Sequence, residues 1–335
     1  MSDGKRKREL ARADRVLPGV WRLRLPLPWP AVPHVNAYAI SAGSGVVLFD
    51  TGIYEPGSLA QLERALDQAG LRLDHVNLVV CTHAHSDHYG LAGPIVDATG
   101  CELWMHPDHA HMTRAVEDPE KAFERRLEVA RQSGVPIAAL ERYRDENKDR
   151  GFGIERVVEP DRDLLPGVEV ETDLGRWSVI ETPGHAPSHV VLHQPERRLL
   201  ISGDHVLGRA SLYFDYGYTP DPVGEYLSSL DRVKGLDVDL ILAGHGRPVR
   251  DLPRLVEAHV ELVDQALERV RAALSEGPNT AFAIVAAGLG IDAVPPAAMN
   301  WAMSLTLCYL RHLEVLGEVE RVEGSDPQVW QLIAA

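Results

Sequence analysis

Alternating apolar and polar residues open the ordered part of the chain. Val20-Trp21-Arg22-Leu23-Arg24-Leu25 carries the two-residue period of a half-buried strand. A proline-rich loop from Pro26 to Pro33 follows. Val35 to Ile40 and Gly45 to Asp50 then read as strands parted by a Gly/Ser turn. Leu59 to Ala69 has helical spacing and stops at Gly70, and Asn77 to Cys81 is a short buried strand. Between about 107 and 150 the pattern turns helical and highly charged. It interrupts the strand rhythm, so it reads as an insertion placed over the site as a cap. Strands resume over 167–171, 177–181, 190–193, 199–201 and 240–243. From about residue 252 one stripe holds Leu255, Val256, Val260, Val263, Leu267 and Val270, as an amphipathic helix requires. A helix through Met303 to Leu316 and two strand-like pieces, 318–322 and 329–332, suggest a small winged-helix-like module.

Composition sets the scale: 335 residues, 45% hydrophobic and 25% charged, describe one large globular domain plus a small one. A formal net charge of −15 works against a polyanionic partner, so nucleic acid is not expected and a small-molecule substrate is. The basic start, Lys5-Arg6-Lys7-Arg8 with Arg12 and Arg15, reads as a frayed, flexible terminus over residues 1–16. Residues 251–335 hold five Arg against twelve Asp and Glu, a net of −7. Such a module suits dimerisation or support of the cap better than a phosphate backbone, and a homodimer is expected. No apolar run approaches a membrane span, and no apolar signal region follows the basic start. The expectation is a cytoplasmic protein with no membrane partner. Cys81, Cys101 and Cys308 have no CxxC spacing, which points away from a disulfide framework and a thiolate zinc site. Cys81 reads as a buried core residue.

The strand at 77–81 runs directly into His83-Ala84-His85-Ser86-Asp87-His88, three imidazoles and a carboxylate within six residues. These groups suit zinc and similar divalent ions, and crowding them beside a buried strand is costly unless a cation holds them. The design recurs downstream. Thr182-Pro183-Gly184-His185, Ser202-Gly203-Asp204-His205 and Ala243-Gly244-His245-Gly246 each place a ligand-type residue in a turn after a strand. All four loops are expected along one edge of the sheets.

The pattern His83-x-His85-x-Asp87-His88 with His185, Asp204 and His245 in this order resembles the metallo-β-lactamase superfamily. The Phe49-Asp50-Thr51-Gly52 turn and the Asn36-x-Tyr38 strand match as well, and the resemblance covers roughly residues 17–250. It implies an α/β fold, an αββα sandwich with metals at the sheet edges, followed by the small, mostly helical module at 251–335. Carried over by position, it implies that His83, His85 and His185 hold one metal, that Asp87, His88 and His245 hold a second, and that Asp204 bridges both. The tail resembles the winged-helix-like domain of the lactamase-beta-2-like branch. A bridging Asp204 departs from the lactam-hydrolysing enzymes and points to glyoxalase-like, lactonase-like and nuclease-like branches.

Two divalent ions, zinc in first place with manganese or iron as alternatives, imply a bridging hydroxide that attacks a carbonyl or phosphoryl centre. Asp87 is expected to ligate, orient that hydroxide and pass a proton to the leaving group. Asp50 and His189 are expected to support ligands from behind, while His205 is only a neighbour and His106, His109 and His111 read as solvated helix-start residues. Leu212-Tyr213-Phe214-Asp215-Tyr216-Gly217-Tyr218 is rich in aromatics, and Tyr213, Phe214, Tyr216 and Tyr218 are expected to line an apolar pocket, with Trp29 and His34 as further candidates. Hydrolysis of an ester, thioester or lactone leads. Phosphodiester hydrolysis and a non-hydrolytic di-iron or metal-binding role are the alternatives.

Overall fold

The computed structural model of the protein describes residues 10–29, 32–147, 151–209, 212–295 and 298–334. Seven strands form the first sheet in sequence order: β1 (Arg12–Leu17), β2 (Val20–Trp29), β3 (Val32–Ala42), β4 (Gly45–Phe49), β5 (Val76–Val80), β6 (Glu102–Met105) and β7 (Arg162–Asp163). The first four make an antiparallel meander, and β4 to β7 run parallel. The second sheet holds β8 (Glu169–Thr172), β9 (Gly175–Glu181), β10 (Val190–Gln194), β11 (Leu199–Gly203) and β12 (Leu240–Ala243), antiparallel except between β11 and β12.

Alternation decides which faces meet. Val20, Tyr38, Ile40, Val47 and Phe49 from the first sheet pack against Trp177, Val179, Leu192, Ile201 and Leu242 from the second. Opposite faces bury under helices. α1 (Ser58–Gln68) and α3 (Ala92–Thr99) cover the first sheet through Leu62, Leu66 and Ile95, against Leu23, Leu48 and Val79. α7 (Pro222–Lys234) and α8 (Leu252–Ser275) cover the second through Val223, Leu230 and Val256, against Val191, Leu200 and Ile241. The result is the expected αββα sandwich.

Residues 12–16 are not a frayed terminus: they form β1, paired to β2, because Ala11 is buried against α1 and its backbone is tied to Gln61 and Gln68. Residues 1–9 lie outside the described residues. The stretch from 107 is helical as expected, with α4 (Ala110–Glu117), α5 (Pro119–Gln132) and α6 (Ile137–Asn147). The tail adds α9 (Ala281–Leu289), α10 (Met299–Val315) and a small sheet of β13 (Asn279–Thr280), β15 (Val329–Leu332) and β14 (Val319–Arg321). Its core is continuous with that of the large domain, since Leu267, Leu305 and Leu310 join the cluster that holds Val223 and Leu230. No helix among the described residues is long and apolar enough to cross a membrane.

Candidate metal centre

Four loops at one end of the sandwich supply the site. β5 runs into Thr82–His85 and the short helix α2 (Ser86–Tyr89), which carries Asp87 and His88. β9, β11 and β12 are followed by His185, Asp204 and His245. Two groups of side chains result. His83 Nε2, His85 Nδ1 and His185 Nε2 lie 2.9–3.3 Å apart. Beside them, His88 Nε2 is 3.6 Å from Asp87 Oδ2 and 3.4 Å from Asp204 Oδ1, and His245 Nε2 is 3.4 Å from Asp87 Oδ2 and 3.2 Å from Asp204 Oδ2. Asp204 Oδ2 is also 3.8 Å from His185 Nε2, so Asp204 stands between the groups. All seven expected ligand residues are brought together.

Each imidazole is anchored through its other nitrogen. His83 Nδ1 donates to Thr82 Oγ1 (3.0 Å), His85 Nε2 to Asp215 Oδ2 (2.9 Å) and His88 Nδ1 to Asp50 Oδ2 (2.8 Å). His185 Nδ1 donates to the Tyr213 carbonyl and His245 Nδ1 to the His34 carbonyl, both at 3.0 Å. With five rings anchored outward, five inward nitrogens converge on one volume, where cation ligation would use each as a lone pair. Asp50 also accepts from the Thr82 amide and hydroxyl, and the Asp204 amide donates to His189 Nε2. Asp50 and His189 therefore stand where the sequence expects them, directly behind the cluster.

The donor set fits divalent cations. His88 Nε2 and Asp204 Oδ1 are buried without a hydrogen-bond partner among the described residues, and leaving such atoms bare is costly. Three imidazole lone pairs cannot satisfy one another, whereas one cation satisfies all three. Gly244 keeps the space open, since a Cβ there would overlap Asp204 Oδ1 and sit 2.8 Å from His88 Cε1.

Electrostatics divide the metal-free groups. Burial, with the neighbouring imidazoles, holds His83 well below the usual histidine range and His185 down at about 4. Burial also opposes charge on His88 and His245, but Asp87 and Asp204 outweigh it, keeping His88 well above its usual value and His245 up at about 10. These imidazoliums hold both carboxyls ionised against burial. The centre binds protons where it would bind metal.

Of the pocket candidates, Tyr213 lies beside the site, with its ring 5.5 Å from His85 and 5.7 Å from His185. Tyr218 is 5.9 Å from the His111 ring. Phe214 is a correction: it is fully buried in the core against Tyr226 and Tyr309. Tyr216 packs on the same core. Trp29 ends β2 and makes no hydrogen bond or ring contact with the cluster among the described residues. His34 acts through its backbone carbonyl. Nor is His111 a solvated helix-start residue: α4 buries it against Ser188 Oγ (2.8 Å) and Asp215 Oδ2 (2.9 Å). His106 is buried as well, 3.0 Å from Glu181. Asp215, which holds His85 Nε2, is a residue that sequence reasoning misses. Its signal is a lone acid inside an aromatic run, unreadable without the fold that brings it to His85.

Asn36 and Tyr38 clamp the last loop: Asn36 donates to the Ala243 and Gly246 carbonyls, and Tyr38 to that of Ala243. A probable metallo-hydrolase of Bacillus subtilis, YqjP, is 28% identical over 310 residues, 90% of this chain and 92% of its own. The crystal structure of a metallo-beta-lactamase family protein from Thermus thermophilus superposes with a TM-score of 0.81 at 27% identity, covering 95% of this chain and all of that one. Hydroxyacylglutathione hydrolase GloC of Haemophilus influenzae is 28% identical over 204 residues, 59% of this chain and 80% of its own. The family model of the metallo-beta-lactamase superfamily matches residues 31–245, the span from β3 to the last of the four loops, and the chain belongs to that superfamily.

Proposed function

We propose that the protein is a dinuclear metal-dependent hydrolase that opens an ester, thioester or lactone carbonyl. The observation that carries this reading is five imidazoles, each anchored outward, converging on Asp87 and Asp204. His83, His85 and His185 would hold one ion, Asp87, His88 and His245 the other, with Asp204 shared. Zinc suits the nitrogen-rich set best, and manganese or iron is compatible with it. The chemistry such ions supply is Lewis acidity, which lowers the pKa of a nearby water and polarises a carbonyl oxygen. Asp87, ionised beside His88 and His245, is placed to accept a proton and return it to the leaving oxygen or sulfur. Tyr213, whose hydroxyl stays protonated because burial and Asp215 push its pKa well up, can donate to a developing oxyanion. Kinship with a hydroxyacylglutathione hydrolase supports a thioester among the candidate substrates.

The test is elemental analysis of the purified protein, followed by turnover of ester, thioester, lactone and bis-nitrophenyl phosphate substrates with zinc, manganese or iron. Two ions per chain and carbonyl hydrolysis abolished in Asp87→Ala are expected. Fewer than one ion under metal-replete conditions, phosphodiester turnover alone, or near-parent activity in Asp87→Ala would overturn the reading.

A further inference from the structure

Two arginines of the helices inserted between β6 and β7 are spent on acids. Arg131 is tied to Glu128 and Asp326, and Arg144 to Glu124. Those pairings occupy Glu124 and Glu128, the acids of α5 within one helical turn of Arg125 and Arg126. Arg125 and Arg126, with Arg114 on α4, make no ion pair among the described residues.

Aromatic faces hold the adjacent pair instead. The Arg125 guanidinium lies 5.0 Å from the centre of the Tyr218 ring and gives Nη2 to the Gly217 carbonyl (3.1 Å). Arg126 lies 5.4 Å from the centre of the Phe152 ring, with Nη1 3.4 Å from the Tyr143 hydroxyl. A ring face attracts a guanidinium without neutralising it. Both side chains are exposed, so the charge and most of the five N–H donors of each stay available to a ligand.

Both rings lead to the metal centre. Tyr218 lies 5.9 Å from the His111 ring, which lies 5.5 Å from that of His85. Phe152 adjoins Gly153, where a Cβ would come within 3.0 Å of Ser86 Cβ. Ser86 opens the short helix that carries Asp87 and His88. Charge reaches the nearby hydroxyls too. Burial and Asp215 raise the pKa of Tyr218 against the opposing charges of Arg125, Arg126 and Arg114. At Tyr213, beside His85 and His185, Arg126 opposes the same two causes. In a chain of net charge −15, three guanidiniums thus gather beside both groups of metal-ligand side chains. Two neighbouring guanidinium forks match the two-oxygen edge of a carboxylate or a phosphate.

We infer that Arg125 and Arg126 bind the anionic group, a carboxylate or a phosphate, of a substrate whose scissile carbonyl lies at the metal centre. The inference rests on the hydrolase reading for the word substrate, but anion binding can be tested without turnover.

Phenylglyoxal modification of the protein as purified, followed arginine by arginine by mass spectrometry, locates the anion. The probes are suberate for a carboxylate and inorganic phosphate for a phosphate, with uncharged suberamide as the control. One anion should slow modification of Arg125 and Arg126 severalfold, and the anion that protects identifies the group. Arg142, exposed on α6, should react at an unchanged rate, and suberamide should protect nothing. In parallel, Arg125→Gln/Arg126→Gln and Arg142→Gln are compared on three esters. These are the p-nitrophenyl half-ester of suberate, 4-carboxyphenyl octanoate and neutral p-nitrophenyl octanoate, with phosphonate in place of carboxylate where phosphate protects. The double variant should raise KM by about 10-fold for the ester whose anion reaches the pair, with kcat retained, and Arg142→Gln should not. Protection by neither anion, equal protection of Arg142, or equal KM changes on charged and neutral esters overturns the inference. If the parent hydrolyses none of the esters, the hydrolase reading fails, and protection alone decides the anion site.

Discussion

Asp215→Asn is the most informative substitution behind the metal centre. Asp215 is buried, and its Oδ2 lies 2.9 Å from both His85 Nε2 and His111 Nδ1. A carboxylate has no proton to give, so His85 must donate through Nε2 and present a bare Nδ1 to the cluster. An asparagine of the same shape offers an amide N–H as well as an oxygen. Turned one way, it keeps the hydrogen bond without the charge. Turned the other, it donates to Nε2 and drives the proton to Nδ1, the atom 2.9 Å from His185 Nε2 and 3.0 Å from His83 Nε2. That tautomer cannot ligate. Removing such a partner of a ligand histidine typically costs 10–100-fold in metal affinity, or about 1.4–2.7 kcal/mol.

The assay is zinc competition against a chromophoric chelator, resolved into two binding steps. The step assigned to His83, His85 and His185 should weaken by that factor, and the other should hold. His111→Ala keeps the charge on Asp215 and should cost clearly less. Cobalt substitution adds a spectroscopic check, because a reoriented His85 changes the visible bands of one ion. A folded Asp215→Asn protein with both steps within about twofold of the parent would refute the tautomer argument.

Other consequences follow from the same geometry. Gly244→Ala places a methyl group over Asp204 Oδ1, so it should lower metal stoichiometry, read by elemental analysis, while circular dichroism shows the sandwich intact. Phe214→Ala should lower stability by about 3–5 kcal/mol in denaturant titration, as expected for a core aromatic, rather than alter KM selectively. The metal-free protein should be most stable near neutral pH. Below 6.5 the unfolded chain takes up protons that buried His185, held at about 4, and His205, held at about 3 by burial, refuse, so stability falls on acidification. Above 6.5 the unfolded chain releases the proton that His245 keeps until about 10, so stability falls again on the alkaline side. Denaturant midpoints at acid, neutral and alkaline pH check both arms, and a monotonic trend would contradict them. Calorimetry in buffers of different ionisation enthalpy should show protons released on zinc binding.

Much of the frame is legible because period and punctuation agree in it. Val35 to Ile40, Gly45 to Asp50 and Asn77 to Cys81 alternate or run apolar and end in turns, and they form β3, β4 and β5 within a residue or a few. What escapes is structure that only tertiary contact makes. Arg12–Leu17 has the composition of a solvated terminus, and it is a strand because β2 offers it an edge and Ala11 a buried anchor. β7 is two residues long, too short to carry a period. α7 lies just beyond the aromatic stretch, and its start is marked by an N-cap aspartate and a proline, Asp221-Pro222, a local signal that hydrophobic spacing alone passes over.

The site divides along the same line. Ligand-type residues in turns after strands are a local signal, so His83, His85, Asp87, His88, His185, Asp204 and His245 can be named from the chain alone. Residues that aim them are chosen by distance in space. Asp215 meets His85 across 130 positions and His34 meets His245 across 211, and neither leaves a trace in local spacing. The aromatic run shows the limit most clearly. Tyr213, Phe214, Asp215 and Tyr216 share one segment and one composition. Yet the chain turns Tyr213 and Asp215 toward the histidines while Phe214 and Tyr216 go to the core shared with α10. Neighbours in sequence part because a core flanks the segment on one side and the metal centre on the other, and the stretch carries no helix or strand period that would announce the division, Tyr216 lying already in a turn.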